Sequence, residues 1–314
     1  MHLSRYLVDS SDYFITEDIS SNEFFIQKKA IEKKTGKFVI LIDIVNNIKD
    51  KAKSRHFQMN VFQYATLFFH LHHPAIHKLN NIILPFSKKE SIISATLIRK
   101  FYKNGNVAIL TKEYLDTNGQ NNDKMNPLIR SKIIYGVASA MKYLHDNCII
   151  NKNLTLESIL LNDNLEPKLS LSIIYDFEKF INTSNDFYYF APELIENFEF
   201  FPNSIDVYSF GFLIYRMFSN EIIFSQKNVL FNKLNFFDCI LKRMKPLKPD
   251  LMPDCYWNLV SHCLCQNPDD RPDFNDIVDI LNNDEFAINE FGIETDIEKL
   301  HEYQRKLFQY IEEK

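Results

Sequence analysis

Ala191-Pro192-Glu193 is followed by Asp206-Val207-Tyr208-Ser209-Phe210-Gly211 and then by Asn267-Pro268-Asp269-Asp270-Arg271-Pro272, and the order and spacing of these three segments decide the fold. Each sets a charged side chain among apolar or turn-forming residues. From 204 to about 284 the pattern is helical. Upstream, Ile129, Ile133, Val137, Met141 and Leu144 recur at helical spacing and predict a long helix. Short strand signals follow at 159–161 and 167–174. Before that helix, Asp116 to Asn126 is polar and reads as a hinge. Residues 13–45 are strand-rich, with apolar runs at Phe24–Ile26 and Phe38–Ile42 and a turn from Glu32 to Gly36. Residues 55–71 carry helical periodicity that ends at His73-Pro74. Ile92 to Ile98 and Val107 to Tyr114 read as two more strands. Strands, a hinge and then helices predict a two-lobed α+β chain.

Composition narrows the function. Six glycines in 314 residues is scarce, since average usage of about 7% would give roughly 22. Functions that need clustered glycines start at a disadvantage. A balance of 36 basic against 41 acidic residues, −5 net, gives no reason to expect nucleic-acid binding. Five cysteines, an odd and sparse set, suit a reducing compartment and a cytoplasmic location. The longest apolar candidate, Val207 to Phe218, is too short to span a membrane and contains Arg216. The N-terminus leads into no apolar signal core. In the tail, Thr295-Asp296-Ile297-Glu298 reads as a capping box. A stripe of Ile297, Leu300, Tyr303, Leu307 and Tyr310 or Ile311 follows it. That stripe packs on the helical domain or docks a partner.

The three opening segments resemble the C-terminal lobe of the eukaryotic protein kinase domain, and Asp206-Val207-Tyr208-Ser209-Phe210-Gly211 is similar to the tyrosine-kinase-like branch. His73-Pro74-Ala75-Ile76, Tyr143-Leu144-His145 and Ile159-Leu160-Leu161 fit the same frame. The resemblance covers roughly 13–284. It implies an N-lobe of antiparallel sheet plus one helix at 13–115, a hinge at 116–126, a mainly helical C-lobe at 127–284 and a helical extension at 285–314. It also implies structural roles for three residues. Glu193 and Arg271 should pair, and Asp206 should hold the backbone of the catalytic loop.

The family's chemistry depends on a Gly-rich loop, a strand Lys, the HRD-x-x-x-x-N loop and DFG. In the Ile19–Gln27 window the glycine slots hold Ser20, Asn22 and Phe25, and the adenine-packing Val slot holds Gln27. The Ala and Lys slots of the third strand hold Ile40 and Ile42. The helix Glu slot falls near Tyr64. In Asn151-Lys152-Asn153-Leu154-Thr155-Leu156-Glu157-Ser158 the catalytic Asp slot is Asn153 and the metal-binding Asn slot is Ser158. The DFG Asp slot is Leu171, which cannot hold Mg²⁺ because that ion needs hard oxygen ligands. A rival register, Asp176-Phe177-Glu178, lies five residues later.

These substitutions predict a catalytically inactive kinase-like protein, with no catalytic, cofactor or metal residues and with nucleotide binding unlikely. Such a protein would act as a scaffold or allosteric regulator of other proteins, an active kinase among them. The alternative is an atypical but active Ser/Thr kinase or ATP-binding protein that uses surrogates such as Asp176. Thr183, Ser184, Tyr188 and Tyr189 are candidate modification sites in the activation segment.

Overall fold

The computed structural model describes residues 3–21, 25–46, 48–84, 93–118, 123–171, 187–196, 202–220, 233–242, 244–290 and 292–312. Asn22, Asp176, Thr183 and Ser184, singled out above, lie outside these. Residues up to His72 and from Ile76 to Lys103 form one compact unit. His73–Ala75 and the described residues from Asn104 onward form a second.

The first unit is an antiparallel five-stranded sheet with one helix. Strands β1 (Tyr13–Ser21), β2 (Phe25–Glu32), β3 (Phe38–Val45), β4 (Leu79–Ile83) and β5 (Ile93–Lys100) lie in the order β1-β2-β3-β5-β4. The β2–β3 turn uses Gly36 at φ 70, a left-handed conformation that glycine adopts without steric cost. Along β3, Val39 and Leu41 are buried with Tyr13, Ala30 and Ile98 on one face. Ile40 and Ile42 alternate onto the other face, where they are half-buried.

Helix α1 (Lys51–His70) starts at Asp50, whose carboxylate accepts from the Lys53 N–H at 2.9 Å. It buries Phe57, Val61, Ala65, Phe68 and Phe69. The N-terminal segment is fastened to the same unit. Tyr6 stacks on Phe69 at 3.9 Å between ring centres, and Leu7 bridges to Ile82. Strand β4 is absent from the sequence reading, because Asn80 and Asn81 interrupt its apolar residues.

The second unit is mainly helical. Val107–Asp116 is a helix, α2, and not the strand expected above. Asn106 caps it through Ile109 N–H at 3.2 Å. Its buried residues Val107, Leu110, Thr111 and Tyr114 follow a helical period of three to four residues. The remaining helices are α3 (Pro127–Asp146), α4 (Pro192–Glu196), α5 (Ser204–Phe218), α6 (Lys233–Leu241), α7 (Asp254–Cys263), α8 (Phe274–Leu281) and α9 (Ile297–Glu312). Strands β6 (Ile159–Leu161) and β7 (Pro167–Leu169) form a small hairpin. Among the described residues no helix is long and apolar enough to cross a membrane.

The C-terminal stripe is packed against α3. Leu300, Tyr303 and Leu307 are buried, whereas Ile297 is exposed. The cap differs from the expected box. Asp296, not Thr295, accepts from the Lys299 N–H at 3.1 Å, and the Thr295 hydroxyl donates to the Ile288 carbonyl. The preceding segment is pinned by a buried pair of Arg130 with Glu290, and Arg130 lies between the Tyr114 and Phe218 rings at 4.9 and 4.7 Å.

Gly136 on α3 lets Tyr303 approach closely. A Cβ there would collide with the Tyr303 hydroxyl and stand 2.6 Å from Pro167 Cγ. Alanine gains about 1 kcal/mol of helix propensity over glycine, but overpacking against a rigid ring costs about 1–3 kcal/mol. Gly136→Ala is therefore expected to lower the melting temperature and to speed proteolytic release of α9. Unchanged melting and cleavage would show that α9 is not held at this point.

Candidate functional site: the catalytic-loop frame

In the second unit the loop after α3 is organised by one carboxylate. Asp206, in the first turn of α5, is fully buried. Its Oδ2 accepts from the Asn151 N–H and its Oδ1 from the Lys152 N–H, both at 2.8 Å, while His145 Nε2 lies 2.9 Å from Oδ2. This grip holds Lys152 at φ 64, a left-handed conformation unfavourable for a residue with a Cβ. Burial lowers the Lys152 pKa, and the nearby Asp206 opposes that shift. Asn151 is buried as well, with its amide nitrogen 3.7 Å from Met141 Sδ.

Past Asn153 the loop closes on itself. The Thr155 hydroxyl accepts from the Ser158 N–H at 3.3 Å. The Ser158 hydroxyl donates to the Thr155 carbonyl at 2.7 Å and accepts from the Thr155 N–H at 3.2 Å. Ser158 is thereby committed to the local backbone. Tyr189 ties the loop to α5: its hydroxyl accepts from the Leu156 N–H at 3.4 Å, and its carbonyl accepts from the Ser209 hydroxyl at 2.7 Å. Leu171, beyond β7, is buried. The side chains at the family's metal positions, Ser158 and Leu171, do not fit a Mg²⁺ site, which requires free oxygen ligands. Among the described residues no group of three His, Cys, Asp or Glu side chains could hold a metal ion.

Glu193 and Arg271 meet on the other side of α5. The guanidinium is bidentate on the carboxylate at 2.6 and 2.9 Å. It also donates to the carbonyls of Cys265 and Ser204, at 2.8 and 2.9 Å, and lies 5.0 Å from the Tyr208 ring. Thus Glu193 and Arg271 are in contact with each other, and Asp206 is in contact with the catalytic-loop backbone.

In the first unit, the residues at the adenine-packing slots and the strand-Lys slot, Gln27, Ile40 and Ile42, share one sheet face. Gln27 pairs with Ile42, and Lys29 pairs with Ile40. Cross-strand partners point to the same face, so Lys29 shares the face of Ile40 and Ile42. Its ammonium lies 4.8 Å from the Phe38 ring, 4.5 Å from the Phe101 ring and 4.0 Å from Glu17. Lys28 belongs to the opposite face, 2.7 Å from Asp43, whose second oxygen accepts from the Thr96 hydroxyl. Arg99, paired with Ile40 across β3–β5, is buried near Phe68 of α1, and desolvation lowers its pKa to about 10, so it remains charged at neutral pH. Sequence reasoning missed Lys29 and Arg99, because only strand register reveals which face each one occupies.

Comparison with known proteins bears on activity. A family model described as protein tyrosine and serine/threonine kinase matches residues 25–281. The chain is 23% identical over 290 residues to "Probable serine/threonine-protein kinase kinY" of Dictyostelium discoideum, covering 87% of this chain and 48% of that protein. It is 27% identical over 242 residues to the dual specificity protein kinase zak2 of the same organism, covering 67% and 36% respectively. It is 24% identical over 209 residues to human NUAK family SNF1-like kinase 1, covering 65% and 29%. The matches span less than half the length of each of these relatives. The relatives' names correct the expectation of a catalytically inactive protein: they are named as kinases, and nothing in the comparisons indicates inactivity. Nor do the comparisons support the expectation that nucleotide binding is unlikely. A match over most of the chain, together with the two units and the Asp206-held loop, places this chain in the protein tyrosine and serine/threonine kinase family.

Proposed function

We propose that this chain is an atypical protein kinase that transfers phosphate to hydroxyls of protein substrates, using surrogate side chains where the family has its charged residues. We place it on the tyrosine-kinase-like branch, on the wording of residues 206–211. The observation that carries the reading is the catalytic-loop frame, in which buried Asp206 holds the N–H groups of both Asn151 and Lys152. Phosphoryl transfer is largely positioning plus electrostatic stabilisation, and this frame supplies the positioning. Lys29 is the surrogate cation on the sheet face of Ile40 and Ile42. Asp176 supplies the carboxylate. The names of the Ser/Thr and dual-specificity relatives support the same reading.

The test is a melting curve with ATP, with and without Mg²⁺, beside a phosphate-transfer assay on a protein substrate. ATP at 100 times its Kd should add about 2.7 kcal/mol of stability. Lys29→Ala should weaken the ATP-dependent shift, and Asp176→Ala should abolish transfer. Absence of both shift and transfer in the unsubstituted chain would overturn the proposal.

A further inference from the structure

Between α7 and α8, within the second unit, lies a groove of about 810 Å³ that also takes in the 268–272 turn and the 284–286 turn. Its size falls within the range of sites that take several side chains or a small ligand. The floor is apolar, with buried Leu259 and Phe286 beside Ile280, which is 40% exposed. The rim is acidic. Asp276, Asp279 and Ile280 lie at i, i+3 and i+4 on α8 and so share one helix face. Asp270 and Glu285 come from the two turns.

The rim carries negative charge that the described part of the chain leaves unneutralised. Arg271 lines the groove, but its guanidinium is engaged by Glu193. Lys248 pairs with Asp254. Asp276 accepts from the Asp273 N–H at 3.4 Å. Asp270, Asp279 and Glu285 are exposed and form no ion pair among the described residues. Like charges gathered around an apolar floor repel one another, and a cationic occupant relieves that repulsion. A single metal ion does not fit, because no three acidic, His or Cys side chains among the described residues converge on one point.

We propose that this groove docks a short basic segment of a partner protein, with one apolar side chain seated against Ile280 and Phe286 and Arg or Lys residues on either side meeting Asp270, Asp279 and Glu285. The inference is independent of catalysis, since it concerns binding at a surface formed by α7, α8 and the 268–272 and 284–286 turns.

The test uses the full chain and a fluorescein-labelled probe peptide, Arg-Arg-Leu-Arg-Lys, read by anisotropy. Saturable binding is expected and should weaken as salt is raised, because exposed ion pairs are screened. The triple variant Asp270→Asn, Asp279→Asn, Glu285→Gln should bind roughly tenfold more weakly, the combined effect of three exposed ion pairs. A probe with Ser in place of Leu should also bind more weakly, as should the Ile280→Ser variant. Should the triple variant fail to fold, a Gln-Gln-Leu-Gln-Gln peptide tested as a competitor on the unsubstituted chain gives the same information, and failure to compete is the expected result. Equal binding by the neutral peptide, or undiminished binding by a folded triple variant, would overturn the proposal. So would a melting shift with Ca²⁺ alone and no peptide binding, which would make the groove a cation site.

Discussion

Arg271→Ala is expected to lower the free energy of unfolding by about 3–5 kcal/mol, because it removes one partner of a buried ion pair and leaves the other charge uncompensated. The Arg271 side chain is fully buried, and its fork satisfies both Glu193 oxygens together with the Cys265 and Ser204 carbonyls. Alanine would remove a donor from each of these four acceptors. The Glu193 side chain keeps 14% of its surface exposed, so water can reach the carboxylate and the cost falls toward the lower end of that range. The corresponding fall in melting temperature is roughly 5 °C for a chain of this size. Arg271→Lys should recover only part of the loss, since a point charge cannot reproduce the planar bidentate contact. Replacing both partners, Arg271→Met with Glu193→Leu, should be less harmful than Arg271→Ala alone, because no buried charge is then left over. Thermal melts of the four proteins decide the matter. If Arg271→Ala melted with the parent chain, the pair would be a surface ornament with no structural role.

That pair also shows what could be read in advance. Glu193, Asp206 and Arg271 were identifiable because each sits in a short segment whose neighbours define its context. The two strands of the β2–β3 hairpin were equally plain, since their apolar runs flank a turn closed by Gly36. Val107–Asp116 was misread because its first four residues are apolar or β-branched in type, whereas its burial at 107, 110, 111 and 114 follows the helical period. Strand β4 escaped notice because pairing with β5, not composition, makes it a strand. The helix cap near 296 was displaced by one residue because the Thr295 hydroxyl found the Ile288 carbonyl instead.

The site divides in the same way. Substitutions at Ile42, Asn153, Ser158 and Leu171 are visible by alignment alone. Inactivity did not follow from them, because matched positions say nothing about charges supplied from elsewhere. Lys29 sits on the neighbouring strand, and its position on the face of Ile40 follows only from register.

His73 is expected to make stability fall on acidification. It is buried near the start of the α1–β4 connection, in the second unit. Its Nδ1 accepts from the Ala75 N–H at 3.2 Å, so Nε2 carries the proton and donates to the Ser139 hydroxyl at 3.2 Å. The ring stacks on Tyr143 at 5.3 Å and meets the edge of Tyr310 at 6.3 Å. Burial, with Lys168 adding its positive charge, pushes the imidazole pKa down to about 3 from its ordinary value of 6.5. The folded state therefore keeps His73 neutral while the unfolded chain takes up a proton, so its contribution is complete above pH 6.5 and is lost as pH falls toward 3. The slope approaches 1.36 kcal/mol per pH unit, or roughly 2.5 kcal/mol lost from this residue by pH 4.5. Carboxylates add their own acid dependence, so the informative quantity is a difference between two proteins. His73→Asn keeps an acceptor near Ala75 but does not titrate. At pH 7 the variant should be the less stable of the two, having lost the ring contacts, and its deficit should shrink steadily from pH 6.5 to 4.5 in urea unfolding. Parallel curves for the two proteins across that interval would mean that His73 titrates alike in the folded and unfolded chain, which a buried ring with its acceptor nitrogen held by a backbone N–H cannot do.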